Sequence, residues 1–506
     1  MEMDDNWWVT NLKALESRPQ RMEALTAMNT TIAREAALPR QTIERLLTTA
    51  ELYDCANPAA DSHAPKDQAV DVTLELLCHC LDQLTMDTAD EQLPSLLRRG
   101  LTHSNPALRA QVLASLLKEL RRQLTAGQVR TLPNNELIFL ILDELKQPDT
   151  EGTSVAINIL SIVLAQRISD PDVQAKLVQL LKQNEIVRCC AYELAVVLAK
   201  KSATLLNAVT FILDAALSEL DNDDVLLQAS VMELLVPLAE QNHGLSYMER
   251  RRVLDILSFR VQRIEEHPLD ALLIPSIMKF FGKIAVYQPL KIIGGYPHML
   301  GCLFVQLLSE DESILPTAMD TLANLATSPQ GKILLNMHFS ADMEKSFERY
   351  GSHIKKLSAH IKERLLNSLD VIYDFKTPPA KEINTILKNW YECFAGGAHA
   401  NTIMDLINTP FPDLQMAALA LLKTICKYNW GIVALKNTGG AVEFLLSRQK
   451  DLHRDIKYMK WQIMEILSAS AEFSPTETIR FTAYVNEGPY HVQADLDVAT
   501  EPQGNA

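Results

Sequence analysis

Apolar and polar positions alternate along most of the chain with the period of an α-helix. Stretches such as "NPALRAQVLASLLKEL" from Asn105 and "NEIVRCCAYELAVVLA" from Asn184 carry apolar residues three and four positions apart, which predicts helices with one buried face. Shorter segments with polar starts lie between them. In "DPDVQAKLVQLLKQ", Asp170 is expected to cap a helix whose first turn holds Pro171. The pattern therefore predicts a chain built from pairs of helices.

A large apolar residue near the C-terminal end of each long helix recurs at intervals of 34 to 53 residues. These residues are Leu81, Leu120, Leu164, Leu198, Leu238, Ile284, Leu325, Ile372, Ile425 and Leu467. Such intervals are typical of helical solenoids of the HEAT or armadillo kind. We predict an all-α fold, a single curved superhelix in which neighbouring repeats stack and bury one continuous core.

Breaks in this pattern divide the chain. We predict N-terminal helical repeats in 1–53, a mobile loop in 54–67 ("DCANPAADSHAPKD"), HEAT/armadillo-like repeats in 68–475, an extended segment in 476–492 and a disordered acidic tail in 493–506.

The segment 476–492 is predicted to be extended because Thr482, Tyr484 and Val485 favour strands and the Gly488-Pro489 pair disfavours a helix. A last repeat has no following neighbour, so we expect this segment to cap its apolar end. The alternative is that the segment is itself a recognition peptide.

Composition favours a helical protein and is no argument against a protein partner. The chain has 506 residues, of which 47% are hydrophobic and 6% aromatic, with only 17 glycines and 23 prolines. Its 63 acidic and 48 basic residues give a net charge of −15, which disfavours nucleic acid as a ligand.

Several features indicate the compartment. The start, "MEMDDNWWVT", lacks the apolar region of a secretory signal, and runs such as 137–142 are too short to span a bilayer. The eight cysteines are scattered, as expected for reduced thiols. We therefore expect a soluble protein of the cytosol or the nucleus, without disulfides.

Motifs for catalysis are weak. Cys78, His79 and Cys80 offer metal-ligand atoms, but adjacent residues on a helix diverge by about 100°, so buried core cysteines are favoured over a metal site. The twelve histidines are scattered, and no HExxH, GxSxG or dinucleotide fingerprint occurs. We predict no enzyme, no cofactor and no metal.

A candidate binding surface follows from the register of the long helices. In the helix from Asn184, the residues Val187, Ala191, Leu194 and Leu198 form one stripe, which is the predicted core. Neighbouring positions flank the opposite face and recur in four successive repeats as Tyr192-Glu193, Met232-Glu233, Met278-Lys279 and Met319-Asp320. We predict a ladder of soft apolar and charged side chains that contacts a partner. The alternative is that the methionines pack between repeats and the charges are only solvated.

Four segments carry a resemblance to a known family. They are "NEIVRCCAYEL" (184–194), "DVLLQASVMELLVPLAEQNHG" (224–244), "LLIPSIMKFFGKIAV" (272–286) and "YVNEGPY" (484–490). In their order and separation they resemble the 26S proteasome non-ATPase regulatory subunit 5 family. The resemblance covers about 180–490 and is looser before that.

The resemblance implies a specific function, which the helical periodicity of the sequence does not indicate. Members of this family are assembly chaperones for the base of the proteasome regulatory particle. They bind the C-terminal domain of one AAA ATPase, regulatory subunit 7, in a module with a second base ATPase and a large non-ATPase scaffold subunit, and they leave before the mature particle forms. We therefore expect these partners and a monomer when the chain is free, and we keep two alternatives, a general HEAT or armadillo adaptor and an enzyme that uses a cysteine.

Overall fold

The structure is a computed structural model that describes residues 5–34, 38–57, 68–84, 90–127, 135–147, 150–264, 266, 268–375, 378–448 and 453–491. Within these ranges it contains 29 α-helices, four short 3-10 helices and no strand. The all-α prediction is confirmed. The assignment of the repeats to the HEAT or armadillo type stays a prediction.

The first fifteen helices are α1 (Asp5–Ala14), α2 (Arg18–Arg34), α3 (Arg40–Thr48), α4 (Ala50–Asp54), α5 (Gln68–Gln83), α6 (Leu93–Leu101), α7 (Pro106–Thr125), α8 (Glu136–Glu144), α9 (Thr150–Arg167), α10 (Pro171–Leu180), α11 (Glu185–Lys201), α12 (Ala203–Ala208), α13 (Thr210–Ser218), α14 (Val225–Leu235) and α15 (Asn242–Arg250). The remaining ones are α16 (Val253–Gln262), α17 (Ile274–Tyr287), α18 (Pro289–Gly295), α19 (Pro297–Leu307), α20 (Leu315–Leu325), α21 (Pro329–His353), α22 (Ala359–Tyr373), α23 (Lys381–Ala395), α24 (Asn401–Ile407), α25 (Pro412–Ile425), α26 (Asn429–Lys436), α27 (Ala441–Leu446), α28 (Arg454–Ser468) and α29 (Pro475–Glu487). The 3-10 helices are Glu219–Asp221, Val236–Glu240, Pro268–Leu273 and Ile354–Lys356.

The chain divides into two compact units, unit 1 up to Tyr247 and unit 2 from Met248. The boundary falls inside α15. The sequence pattern did not predict it, because helical periodicity continues through this stretch.

Unit 1 is a two-layer stack of helices. One layer, the first row, runs α2, α5, α7, α9, α11 and α14, each packed on the next. The second row runs α3, α6, α8 and α10, and its members pack on first-row helices. Each pair therefore buries its apolar faces against its neighbours, as the repeat pattern predicts.

Unit 2 repeats this arrangement. Its first row runs α17, α20, α22, α25, α28 and α29, and its second row runs α16, α19, α21 and α23. Rings on α21, α22, α23 and at the start of α26 form an aromatic cluster through edge-to-face, tilted and stacked contacts: Phe347, Tyr373, Trp390, Tyr391, Tyr428 and Trp430.

The predicted cap of α10 is confirmed, and α11 begins with a cap of the same kind. Asp170 accepts the N–H of Asp172 at 3.0 Å ahead of α10, and Pro171 occupies the first position. Asn184 accepts the N–H of Val187 at 3.0 Å ahead of α11. These bonds satisfy backbone donors that the first turn leaves unpaired.

Three junctions between helices require glycine, which the sequence analysis missed. A Cβ at Gly244, Gly331 or Gly431 would lie 2.2, 2.1 or 2.1 Å from the carbonyl oxygen six residues earlier. Those earlier residues, Leu238, Leu325 and Ile425, are three of the apolar residues that mark the repeat ends. The apolar-x5-Gly spacing thus lets the next helix start directly on the end of the previous one.

The predicted extended segment is wrong over most of its length, because Pro475–Glu487 forms α29. Ser474 and Glu477 form a reciprocal capping box, and Pro475 is favoured in the first turn. Phe481 and Tyr484 are buried in this helix, which packs on α28. Capping and burial thus outweigh strand propensity, and Gly488, with φ +86°, ends the helix rather than preventing it. The capping role of this segment stays a prediction.

Two other predicted boundaries lie largely outside the described residues. They are the loop in 54–67, of which only 54–57 are described, with Asp54 ending α4, and the tail in 493–506.

Candidate partner-binding surface

The predicted ladder lies on first-row helices, on α11 and α14 in unit 1 and on α17 and α20 in unit 2. Its four apolar members are buried, with exposed fractions of 0 to 1%: Tyr192, Met232, Met278 and Met319. Their burial favours the alternative that these side chains pack between repeats, and the contact of the ladder with a partner stays a prediction. Each of these four helices packs on a row neighbour and on further helical segments of its own unit, so its buried face is wider than one stripe.

Tyr192 has a structural contact that explains its burial. Its hydroxyl donates to Oε1 of Glu219 at 2.8 Å, and Nε of Arg188 donates to the same oxygen at 2.8 Å. Burial raises the pKa of Tyr192, with the hydrogen bond to Glu219 as the next cause. This cluster ties α11 to the 3-10 helix that follows α13.

The charged members of the ladder remain at the surface. Glu233 and Lys279 are exposed, and Glu193 is half-buried. Asp320 is about half exposed and accepts bonds from Arg364 at 2.5 Å and Ser368 at 2.7 Å. Both donors lie on α22, so this part of the ladder joins neighbouring first-row helices.

Glu193 stands out electrostatically. Burial raises the pKa of its carboxyl group, and within the described part of the chain that group has no hydrogen bond or ion pair. A half-buried carboxylate without a partner is partly desolvated and uncompensated. A cation on a bound protein would compensate it.

The structure adds apolar side chains that sequence reasoning missed. Ile186 and Leu226 are 65% and 79% exposed, and each is the second residue of its helix, α11 or α14. The two helices pack on each other in the first row, and each side chain lies in the first turn of its helix. We call Ile186 and Leu226 the apolar edge. The signal was present in the sequence as an apolar residue two positions after a capping Asn or Asp.

Of the eight thiols, those of Cys55, Cys80 and Cys426 are buried and the other five are partly buried. Burial raises the pKa of Cys80 and Cys426 to about 12 and that of Cys190 to about 11. A raised pKa keeps a thiol protonated and unreactive. Among the described residues, no three His, Cys, Asp or Glu side chains are grouped so that they could hold a metal ion.

None of the described helices has the length and apolar character needed to cross a membrane.

Fold and surface together define an all-α helical-repeat protein whose first row exposes charges and an apolar edge. The family model of the proteasome non-ATPase 26S subunit matches residues 4–506, and the chain belongs to this family. It is 90% identical over 506 residues to the 26S proteasome non-ATPase regulatory subunit 5 of Drosophila melanogaster, with 100% of both chains covered. It is 27% identical to the subunit 5 of Bos taurus over 417 residues, covering 80% of this chain and 82% of that one. The human subunit 5 is 26% identical over 420 residues, with the same shares covered. The resemblance found in the sequence is confirmed.

Proposed function

We propose that this protein is an assembly chaperone for the base of the 26S proteasome regulatory particle. It binds the C-terminal domain of regulatory subunit 7, one of the AAA ATPases, in a module with a second base ATPase and the large non-ATPase scaffold subunit. It leaves before the mature particle forms. The observation that carries the proposal is membership of the subunit 5 family over residues 4–506.

The surface supports a binding role. Glu193 on α11 provides a half-buried carboxylate without a partner in the described structure. The apolar edge lies on α11 and α14. An exposed apolar group beside charged groups is a common composition for a protein interface. We propose that α11 and α14 form the part of the surface that contacts the ATPase domain.

The same proposal covers what the chain does not do and where it acts. The protein has no catalytic activity, it is a monomer when free, and it acts in the cytosol or the nucleus. Buried thiols with raised pKa values support the first of these statements.

The first experiment tests the partner. Purified protein is mixed with each ATPase C-terminal domain separately, and retention is measured in a pull-down. Only the domain of regulatory subunit 7 should be strongly retained. Equal retention of all domains would instead indicate a general adaptor, and retention of none would contradict the proposal.

The second experiment tests the surface. Glu193→Lys, Leu226→Ser, Glu233→Lys and Lys279→Glu are compared with the exposed control variants Glu51→Lys and Lys345→Glu, which lie off the first row. Unchanged melting with binding weakened by about 1 kcal/mol or more, the usual scale of an interface residue, is expected for Glu193→Lys and Leu226→Ser. Unchanged binding in all four variants would move the contact surface elsewhere.

A further inference from the structure

A groove in unit 2 lies between α16 and the turn from α18 to α19. It has a volume of about 560 Å³ and is lined on one side by Arg251, Arg252, Ile256 and Phe259, and on the other by Tyr296 and His298. These helices belong to the second row of unit 2 or connect to it, whereas the surface proposed for the ATPase domain consists of first-row helices of unit 1.

The α16 side of the groove exposes apolar groups. Ile256 and Phe259 are 44% and 53% exposed, three residues apart on one face of the helix. Arg252 lies one turn before this pair, and the Arg263 guanidinium lies 5.2 Å from the Phe259 ring centroid. An apolar pair is thus bracketed by cations.

The segment that forms one side of the groove is basic, whereas the whole chain is acidic. Residues 248–263 contain five arginines and two acids, whereas the full sequence has 63 acidic and 48 basic residues. Both acids already have partners, because Glu249 pairs with Lys291, and Asp255 accepts from the Tyr296 hydroxyl at 3.2 Å and lies 3.5 Å from Nε of Arg252. The side chain of Arg252 is still 78% exposed.

The backbone presents these arginines in an unusual way. Arg252 has φ +57° and ψ +30°, and it is the one residue other than glycine with positive φ in the described ranges. Its N–H donates to the Glu249 carbonyl at 2.8 Å, and the left-handed turn starts α16 directly after the three arginines 250–252. Such a conformation is disfavoured for a residue with a Cβ.

We propose that this groove binds an extended acidic segment of a partner protein that carries one aromatic or branched aliphatic side chain. The apolar side chain would lie against Ile256 and Phe259, and flanking carboxylates would pair with Arg251 and Arg252. The volume suits a few side chains rather than a folded domain. Nucleic acid is disfavoured, because two lining arginines on a chain of net charge −15 do not form an extended basic surface.

The test uses the full-length protein and fluorescence anisotropy. The probe is a fluorescein-labelled peptide of alternating glutamate and serine with one central phenylalanine. Two control probes are the same peptide with lysine for glutamate and a labelled oligothymidylate. The acidic peptide should bind, more weakly as salt is raised, and should protect 251–262 and 295–298 from hydrogen exchange.

Variants locate the site. Arg252→Glu should weaken peptide binding by about tenfold or more, and Phe259→Ser by about fivefold, the scale of a contributing interface residue. Arg252→Gln is the milder substitution if Arg252→Glu lowers the melting temperature. The matched controls are Arg121→Glu and Ile479→Ser, both exposed and on other helices, and they should bind normally.

Three results would overturn the proposal. They are absence of peptide binding, unchanged binding by both groove variants, and oligothymidylate binding as tight as that of the peptide with the same dependence on Arg252.

Discussion

The two units bury charged side chains in different ways. In unit 1 the guanidinium of Arg109 on α7 is paired with the carboxylate of Glu144 on α8, and only 7% and 2% of these side chains are exposed. In unit 2 the ammonium groups of Lys332 and Lys460 are buried, and the bonds they make go to carbonyl and hydroxyl oxygens.

The acceptors in unit 2 share a position, at the C-terminal end of a helix. Lys332 donates to the carbonyls of Ala326 and Thr327 after α20, and Lys460 donates to the carbonyl of Ser447 at 2.9 Å after α27. Helix C-termini carry unpaired carbonyls and partial negative charge, which attract cations. A phenyl ring lies 4.6 Å from the first ammonium and 4.5 Å from the second.

Burial of a cation can thus be compensated either by a full opposite charge or by carbonyl groups at helix C-termini together with aromatic rings. The first arrangement is symmetric, so loss of either partner leaves a charge behind. The second leaves a residual desolvation cost, and the pKa of each lysine is lowered to about 8 by burial.

The largest expected effect is therefore in unit 1. Glu144→Gln removes the charge that compensates Arg109 and leaves one amide oxygen as an acceptor for Nε, while Nη1 keeps the carbonyls of His103 and Ser104. The free energy of unfolding should fall by about 3 to 5 kcal/mol. Urea unfolding measures the loss, and hydrogen exchange should place it in α6 to α8.

Two variants control this experiment. Arg109→Met combined with Glu144→Met removes both charges and should recover much of the loss. Asp405→Asn breaks an ion pair with Lys355 whose side chains are more than half exposed, and it should cost less than about 1 kcal/mol. A similarly small cost for Glu144→Gln would mean that the two units do not differ.

The second prediction concerns pH. Burial, opposed by Asp374, lowers the pKa of Lys332 from the usual 10.5 to about 8, so the unfolded chain binds more protons than the folded one between these values. Stability contributed through Lys332 therefore rises with pH across this window, by up to about 3 kcal/mol. The stability of Lys332→Met relative to the unsubstituted protein should fall by this amount from pH 7.5 to 10.5.

The difference between variants is the useful quantity, because tyrosines and cysteines of both units whose pKa values are raised by burial titrate in this range only in the unfolded chain, and so change the stability of every variant alike. Lys460→Met should show the same sign, since the pKa of Lys460 is lowered as far. A difference that stays flat with pH would show that the ammonium groups are hydrated rather than buried.

The third prediction extends the comparison to the end of unit 2. Arg448, with 11% of its side chain exposed, donates to the carbonyls of Gly488 at 2.7 Å and Tyr484 at 2.8 Å at the end of α29. Its guanidinium also lies 3.5 Å from the Tyr484 ring centroid. Arg448→Met should cost about 2 kcal/mol, the range of hydrogen bonds to charged groups, and should increase hydrogen exchange in α29.

Arg480→Met is the matched control, because Arg480 lies on α29, the helix whose end Arg448 contacts, but forms a mostly exposed pair with Glu443. It should change stability far less than Arg448→Met does. Equal effects of the two variants would contradict a specific role for Arg448.

Local signals predicted much of the fold. Asp170 was identified as a cap because a cap depends on residues within three positions of it. The core stripe of α11 was correct for the same reason, and Val187, Ala191, Leu194 and Leu198 are all buried.

The errors arose where distant contacts decide. Tyr192 was placed on an exposed face, but its hydroxyl reaches Glu219, 27 residues away. The helix at the end of unit 2 was missed because strand propensity was weighed without the capping box and without burial of Phe481 on α28. Buried pairs such as Arg109 and Glu144 have no sequence signal, since 35 residues separate them.

The smallest expected effect is at the ladder itself, where Asp320 forms an ion pair with Arg364 that is about half exposed on both sides. Asp320→Asn removes the charge but keeps an oxygen that can accept from the Ser368 hydroxyl, now 2.7 Å away. Stability should fall by no more than about 1 kcal/mol. Because this pair is open to solvent, the difference should vanish in 1 M salt, where the screening length is about 3 Å, whereas the loss in Glu144→Gln should persist. If the loss in Asp320→Asn also persists in 1 M salt, this surface pair behaves like a buried one. It would then not differ from the Arg109–Glu144 pair of unit 1 in its response to salt. If stability is unchanged but the variant binds the ATPase domain more weakly, the charge serves recognition rather than folding, and α20 also contacts the ATPase domain.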